Sequence, residues 1–197
     1  MAIVVEHDKR KQEILQKSLD VFIEEGYEDA TFQKIADRCG ITRTTLYIYF
    51  KNKHEIFLGI IKELLSEVEI ALKAIMVDSN LSSEETLRKV LETLIDACER
   101  NKKLFSVLLN YLMQLKKSGV DTSERVRRRV IRVRHLLSTI LIKGIQNGEF
   151  KELNVKDANE TLYGLMESAI FRIAVLNQDR LADIKAALNT TVDLFKA

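Results

Sequence analysis

Between Thr31 and Lys53 two apolar patterns of helical period follow one another with only Gly40 as a break. So tight a corner constrains a fold more than any single helix does. Phe32 to Cys39 and Thr42 to Phe50 read as short helices. Ile35, Ala36, Ile41, Leu46 and Tyr49 recur at spacings that let both bury one face against a shared core. Ala36 is small where the helices must approach, and Gly40 supplies the positive φ that the corner needs. Arg43, Thr44, Thr45, Tyr47 and the Tyr49 hydroxyl are left outside. Side chains of this length and hydrogen-bonding type reach bases and phosphates when such a helix lies in a major groove. The stretch carries five Lys or Arg, at 34, 38, 43, 51 and 53, against one acid, Asp37. It is a candidate DNA-reading head.

The remaining segments are helical by the same reasoning, since the chain has no proline and only seven glycines. Residues 1 to 8 read as a loose arm. Residues 9 to 25 then place Ile14, Leu15, Leu19, Phe22 and Ile23 on one face, and Gly26 stands at the expected stop. Thr31 can cap the next helix, or its hydroxyl and the helix start can hold a phosphate. Asn52, with Glu55 three residues on, is a capping signal for a long amphipathic helix through Ile75. Lys53 at its start is placed to hold a phosphate. Ser82 to Glu85 caps a helix through Cys98, a shorter one spans about 102 to 117, and Asp121 to Glu124 opens another to Asn147. Two more follow, from Asn154 to about Leu176 and from about Arg180 through Phe195. The expectation is an all-α fold of about nine helices. A three-helix helix-turn-helix head covers residues 1–52, and a larger helical body covers 53–197.

Charge and cysteine usage narrow the function. A net charge of only +2 excludes a general basic coat, so DNA affinity must come from local patches. Cys39 and Cys98 lack disulfide or metal spacing and read as two reduced thiols. Ala2 to Val5 is too short an apolar run for a signal peptide, and nothing approaches the ~18 apolar residues of a membrane span. The expectation is a soluble cytoplasmic protein. His7, His54 and His135 are far apart, and no glycine-rich phosphate loop or paired-carboxylate signature is present. No enzyme, metal or cofactor is expected. A helical scaffold for a protein partner is the competing reading, but it leaves the hydroxyl-rich face of Arg43, Thr44, Thr45 and Tyr47 unexplained.

Residues 9 to 60 resemble the TetR family of bacterial transcriptional regulators. The resemblance lies in Glu25-Gly26-Tyr27, Ala30-Thr31-Phe32, Ile35-Ala36, Cys39-Gly40-Ile41-Thr42 and the run Thr45-Leu46-Tyr47-Ile48-Tyr49-Phe50-Lys51-Asn52-Lys53. It implies a DNA-binding regulator, more often a repressor than an activator, released from a near-palindromic duplex operator by a small-molecule effector. Carried onto this sequence, Thr31, Tyr49 and Lys53 mainly hold phosphates, and Thr42 caps the reading helix and can touch a phosphate. Arg43, Thr44, Thr45 and Tyr47 lie along the groove. Arg43 is open to a bidentate guanine contact or to a phosphate. Thr44 stands where the family often has glycine or alanine, and Phe32 is bulkier than the residue usual there; it most simply fills the head's core.

The resemblance also implies a homodimer, with the last two helices as its interface. Leu162, Leu165, Ala169, Ile173, Ile184, Leu188 and Phe195 are the candidates. It implies an effector pocket in the body, for which Phe105, Leu109, Met113, Leu137, Tyr163, Met166 and Phe171 are candidates, with plain core as their competing role. Six arginines between Glu124 and His135, at 125, 127, 128, 129, 132 and 134, share a helix with the inward stripe Val126, Val130, Val133, Leu137, Ile140 and Leu141. Most of the arginines therefore belong on a solvated or interface face, and one turning inward toward an anionic ligand is the alternative.

Overall fold

The chain begins with a helix where a loose arm is expected. A computed structural model describes residues 2–120 and 123–197, with only the backbone described for residues 2–5, 123, 125 and 126. Asp121 and the side chains of Ala2–Val5, Arg125 and Val126, which enter the sequence reading, lie outside the described residues. Among the described residues there are nine α-helices and no strand. They are α1 (Ala2–Asp29), α2 (Phe32–Cys39), α3 (Arg43–Tyr49), α4 (Lys53–Val77), α5 (Ser83–Arg100), α6 (Lys102–Lys117), α7 (Ser123–Gln146), α8 (Val155–Ala174) and α9 (Ala182–Phe195). They form two compact units, Met1–Glu67 and Val68–Ala197. The division falls inside α4 rather than at Asn52, because Ile56, Phe57 and Ile60 at the start of α4 are buried in the first unit.

In that unit, α1 is helical from Ala2, so residues 2 to 8 are corrected from an arm to a helix. Glu6 to Arg10 contain no breaker, and His7 stacks on Tyr49 with ring centroids 4.8 Å apart, which gives these turns something to pack on. Helical geometry is interrupted at Gly26, whose φ of 78° and ψ of 169° are open to glycine and strained for other residues, and resumes to Asp29. Ile14, Leu15, Val21 and Phe22 are buried on the inner face of α1. The Phe22, Tyr27 and Phe57 rings meet at 5.0–5.8 Å, distances at which tilted and offset aromatic pairs add to the burial of their area.

Lys53 closes this corner. Its Nζ donates to the carbonyl oxygens of Tyr27 at 2.9 Å, Glu28 at 2.7 Å and Ala30 at 3.0 Å. It also lies 4.9 Å from the centre of the Tyr27 ring. An ammonium has three donors, so this set engages all of them. The turn between α1 and α2 would otherwise leave those carbonyls to water.

In the second unit the core is built by Leu87, Val90, Leu91, Leu137, Ile140 and Leu141 from α5 and α7 together with the inner faces of α8 and α9. The start of α5 carries the capping box of Ser82 and Glu85. Glu149 adds a second cap by accepting from Ser83 Oγ at 3.0 Å and Glu84 N–H at 3.1 Å. Burial pushes the Glu149 carboxyl up, but these bonds and one from Asn147 hold it below its ordinary value. Arg88 of α5 pairs with Glu84 at 2.9 Å and reaches Asp193 of α9 at 2.6 Å.

Two sequence expectations for the body are corrected. Leu162, Ala169, Ile173, Ile184 and Leu188, expected at a dimer interface, are only 0–3% exposed within the protomer. Leu165 and Phe195 are partly buried against the same core. α8 and α9 turn their most continuous apolar stripe toward α5, α6 and α7, so that stripe is not available to a partner. The pocket candidates are divided between core and surface. Leu137 is fully buried, Phe105 and Met166 pack on the core, and Leu109 and Tyr163 are half-buried, whereas Met113 and Phe171 are more than half exposed.

The arginine expectation fares better. Arg127, Arg128, Arg129 and Arg132 are exposed, while Val130 and Val133 are half-buried and Leu137, Ile140 and Leu141 buried. Among the arginines whose side chains are described, Arg134 turns inward. It pairs with Glu160 and lies 4.4 Å from the Tyr163 ring centre, so its partner is a protein carboxylate.

Lys53→Met keeps the apolar stem and removes the three donors. The half-buried site allows partial rehydration of the carbonyls, so the expected loss is about 1–2 kcal/mol of stability in denaturant unfolding. An unchanged unfolding midpoint would show that the three carbonyls are equally well served by water.

Candidate nucleic-acid interface

The corner between α2 and α3 is specified by hydroxyls at both helix starts and glycine between them. Thr31 has extended backbone (φ −107°, ψ 156°) and its Oγ1 accepts from Lys34 N–H at 3.2 Å. α2 ends at Gly40 in the left-handed region, φ 67° and ψ 34°. There the Gly40 N–H donates to Asp37 O and the Ile41 N–H to Ala36 O, each at 3.0 Å. Thr42 then starts α3, with its Oγ1 accepting from Thr45 N–H at 3.0 Å and lying 2.8 Å from Thr45 Oγ1. Ile35, Ala36 and Leu46 are fully buried, as the spacing requires, while Ile41 and Tyr49 are half-buried. A seven-residue helix is marginal alone. The cap at Thr42 and the burial of Leu46 hold this one in place.

The outward face of α3 consists of Arg43, Thr44, Tyr47 and Ile48. Tyr47 is 50% exposed and Ile48 69%. Ile48 is missing from the sequence-derived set, although its position one turn after Thr44 marks it as sharing that face. Thr45 is half-buried, and its hydroxyl and amide both meet Thr42, so it serves the cap before it serves a ligand. Arg43 Nη2 donates to the Tyr47 hydroxyl at 3.2 Å, and the Tyr47 ring leans on Phe32 with centroids 4.6 Å apart. Phe32 is therefore half-buried under the reading face instead of filling the core with Ile35, Ala36 and Cys39.

Tyr49 and Thr31 carry hydroxyls beside this face, and His7 lies on the Tyr49 ring. His7 had no signal in the sequence, because its contact needs α1 to continue two turns beyond its apolar stripe. Lys11, on the same helix, lies 5.1 Å from the Phe50 ring centre. Of the five basic residues in the stretch, Lys34 pairs with Glu25 at 2.6 Å and Arg38 pairs with Glu24. That bond to Glu24 raises the Arg38 pKa further. Lys53, expected to hold a phosphate, is corrected to a clamp on the turn before α2, since its three donors point at carbonyls. The Lys51 N–H donates to the Glu55 carboxylate at 2.7 Å, while the Arg43 guanidinium and the Lys51 ammonium have no ion pair among the described residues.

Neither cysteine is activated as a nucleophile. Burial pushes the Cys39 thiol up and the Cys98 thiol to about 11, away from the reactive thiolate. Among the described residues no helix is long and apolar enough to cross a membrane.

Known proteins place this arrangement. Residues 14–60 match the family model for bacterial regulatory proteins of the tetR family, and residues 80–170 match the tetracyclin repressor-like C-terminal domain. The chain is 26% identical over 190 residues to the fatty acid metabolism regulator protein of Bacillus subtilis, covering 92% of this chain and 91% of that one. It is 24% identical over 192 residues to the transcriptional regulator SrpR of Pseudomonas putida, with 94% and 84% covered. A TetR transcription regulator from Haloarcula marismortui has the same fold, with a TM-score of 0.81 at 22% identity over 96% of this chain and 100% of that one. The regulator FadR of Bacillus subtilis, solved in complex with stearoyl-CoA, gives a TM-score of 0.67 at 26% identity over 93% and 96%. With both halves matched and the helix-turn-helix geometry in place, the chain belongs to the TetR family and is a DNA-binding transcriptional regulator.

Proposed function

We propose that this regulator is a homodimeric repressor that reads a near-palindromic duplex operator through α3 and is released by a small-molecule effector. The observation that carries this reading is the outward face of α3, where Arg43, Thr44, Tyr47 and Ile48 stand together on a capped helix. Arg43 suits the O6 and N7 acceptors of guanine, and Ile48 suits a thymine methyl. Thr44 and the Tyr47 hydroxyl complete a row of short polar groups. Thr31, Thr42 and Tyr49 supply phosphate contacts that set the register of the head without reading sequence.

One head spans only a half-site, so two copies related by a two-fold axis place their α3 helices ~34–36 Å apart. The surface that supports a partner is what α8 and α9 leave exposed: Ile170, Phe171 and Leu194. Gly164 stands on the same helix with nothing within 4 Å of an added Cβ, so a partner backbone can approach closely.

The effector class we assign is a long-chain acyl thioester of coenzyme A. It is supported by the relative named for fatty acid metabolism and by the FadR complex with stearoyl-CoA. Such an effector releases DNA only through its differential affinity for the two conformers of the regulator, and a hundredfold release needs about 2.7 kcal/mol of coupling.

Duplexes retained from a random pool at ~0.15 M salt are expected to share a near-palindromic motif. Arg43→Ala and Tyr47→Ala should each weaken binding to it by roughly five- to hundredfold with unchanged helicity. Wild-type affinity in both variants would remove α3 from the interface. Phe171→Glu should yield monomers in sedimentation, whereas an intact dimer would move the interface elsewhere. Stearoyl-CoA should displace the wild-type protein from its motif while coenzyme A alone does not; equal behaviour of the two would reject the acyl chain as the recognised part.

A further inference from the structure

We infer that Phe32 is a positioning residue for base recognition, holding Tyr47 and, through it, the Arg43 guanidinium. The inference rests on the reading of α3 given above and assigns part of its specificity to a residue on α2. Phe32 is the first residue of α2, and its ring meets the Tyr47 ring of α3 at 4.6 Å with a 40° tilt. The Phe32 side is half-buried and the Tyr47 side is 50% exposed, so the inner ring is the wall and the outer ring leans on it. A residue that merely filled the head would sit with Ile35, Ala36 and Cys39, which are 0–4% exposed.

Arg43 precedes Tyr47 by one turn on the same face. Its Nη2 donates to the Tyr47 hydroxyl at 3.2 Å, and its guanidinium carbon lies 5.7 Å from the Tyr47 ring centre. One of the five guanidinium N–H groups is thereby engaged and four remain, enough for a two-bond edge toward guanine. An exposed arginine otherwise samples many rotamers, and ordering it on contact with DNA opposes binding. The stack of Phe32, Tyr47 and Arg43 removes that freedom beforehand. It acts on discrimination at one base position, because a phosphate contact tolerates a loosely held charge and a bidentate base contact does not.

Random-pool selection on the wild type, Phe32→Leu and Tyr47→Phe tests this. Phe32→Leu keeps apolar bulk and removes the ring; Tyr47→Phe keeps the ring and removes the hydroxyl. Both are expected to lose roughly fivefold or more of the preference for guanine at one position per half-site. In Phe32→Leu, preferences at other positions and retention on scrambled duplex should stay within about twofold of wild type, well below that loss. Phe32→Tyr should restore the preference. Uniform loss at every position in Phe32→Leu, or an unaltered motif, would overturn the positioning role while leaving α3 as the reader. A wild-type protein that selects no motif would overturn the reading itself, and this inference with it.

Discussion

Three aromatic rings set the geometry on which the head depends. Phe22 comes from α1 before the Gly26 break, Tyr27 from the end of α1 after it and Phe57 from α4, and their mutual contacts at 5.0–5.8 Å bring three separate segments to one point. Lys53 covers the same point from the polar side, with its ammonium on three carbonyls of the turn and over the Tyr27 ring. The turn so fixed delivers Ala30 buried and Thr31 extended into the start of α2. The position of α2 fixes the Gly40 corner, and the corner fixes α3. A seven-residue helix has too few internal hydrogen bonds to set its own position, so its accuracy is inherited from this cluster.

Local signals were legible in the sequence, and contacts across long separations were not. Thr31, Gly40, Thr42 and Ser82 act within three or four residues, and each does what its residue type and spacing imply. The buried set Ile35, Ala36 and Leu46 follows equally from periodicity. His7 on Tyr49 and Phe32 on Tyr47 depend on segments meeting in space, and no spacing rule encodes them. Lys53 shows the same limit from another side. Its place beside the reading helix suggested a phosphate, but the nearest acceptors are carbonyls 23 to 26 residues earlier in the chain.

The body shows why an apolar stripe does not identify its partner. Periodicity finds Leu162, Ala169 and Ile173 on α8 and Ile184 and Leu188 on α9, but a core and a subunit interface reward the same residues. In α8 the more continuous stripe goes to the core, where burial is complete. The interrupted one, with Gly164, Ile170 and Phe171, stays outside. The informative observation is the large apolar side chain left exposed after folding, which only coordinates can reveal.

The charge arrangement of the head then bears on how it divides its work. Lys34, Arg38 and Lys53 are engaged within the head, by Glu25, by Glu24 and by backbone carbonyls respectively. Within the stretch from Thr31 to Lys53 this leaves Arg43 and Lys51 to displace counterions along a phosphate backbone. Hydroxyls at Thr31, Thr42 and Tyr49 can take neutral hydrogen bonds to phosphate, which give register with little salt dependence. In the proposed reading, discrimination falls to the exposed face of α3. Base recognition gains from side chains ordered in advance, and the packing of Phe32, Tyr47 and Arg43 provides such order where α2 meets α3.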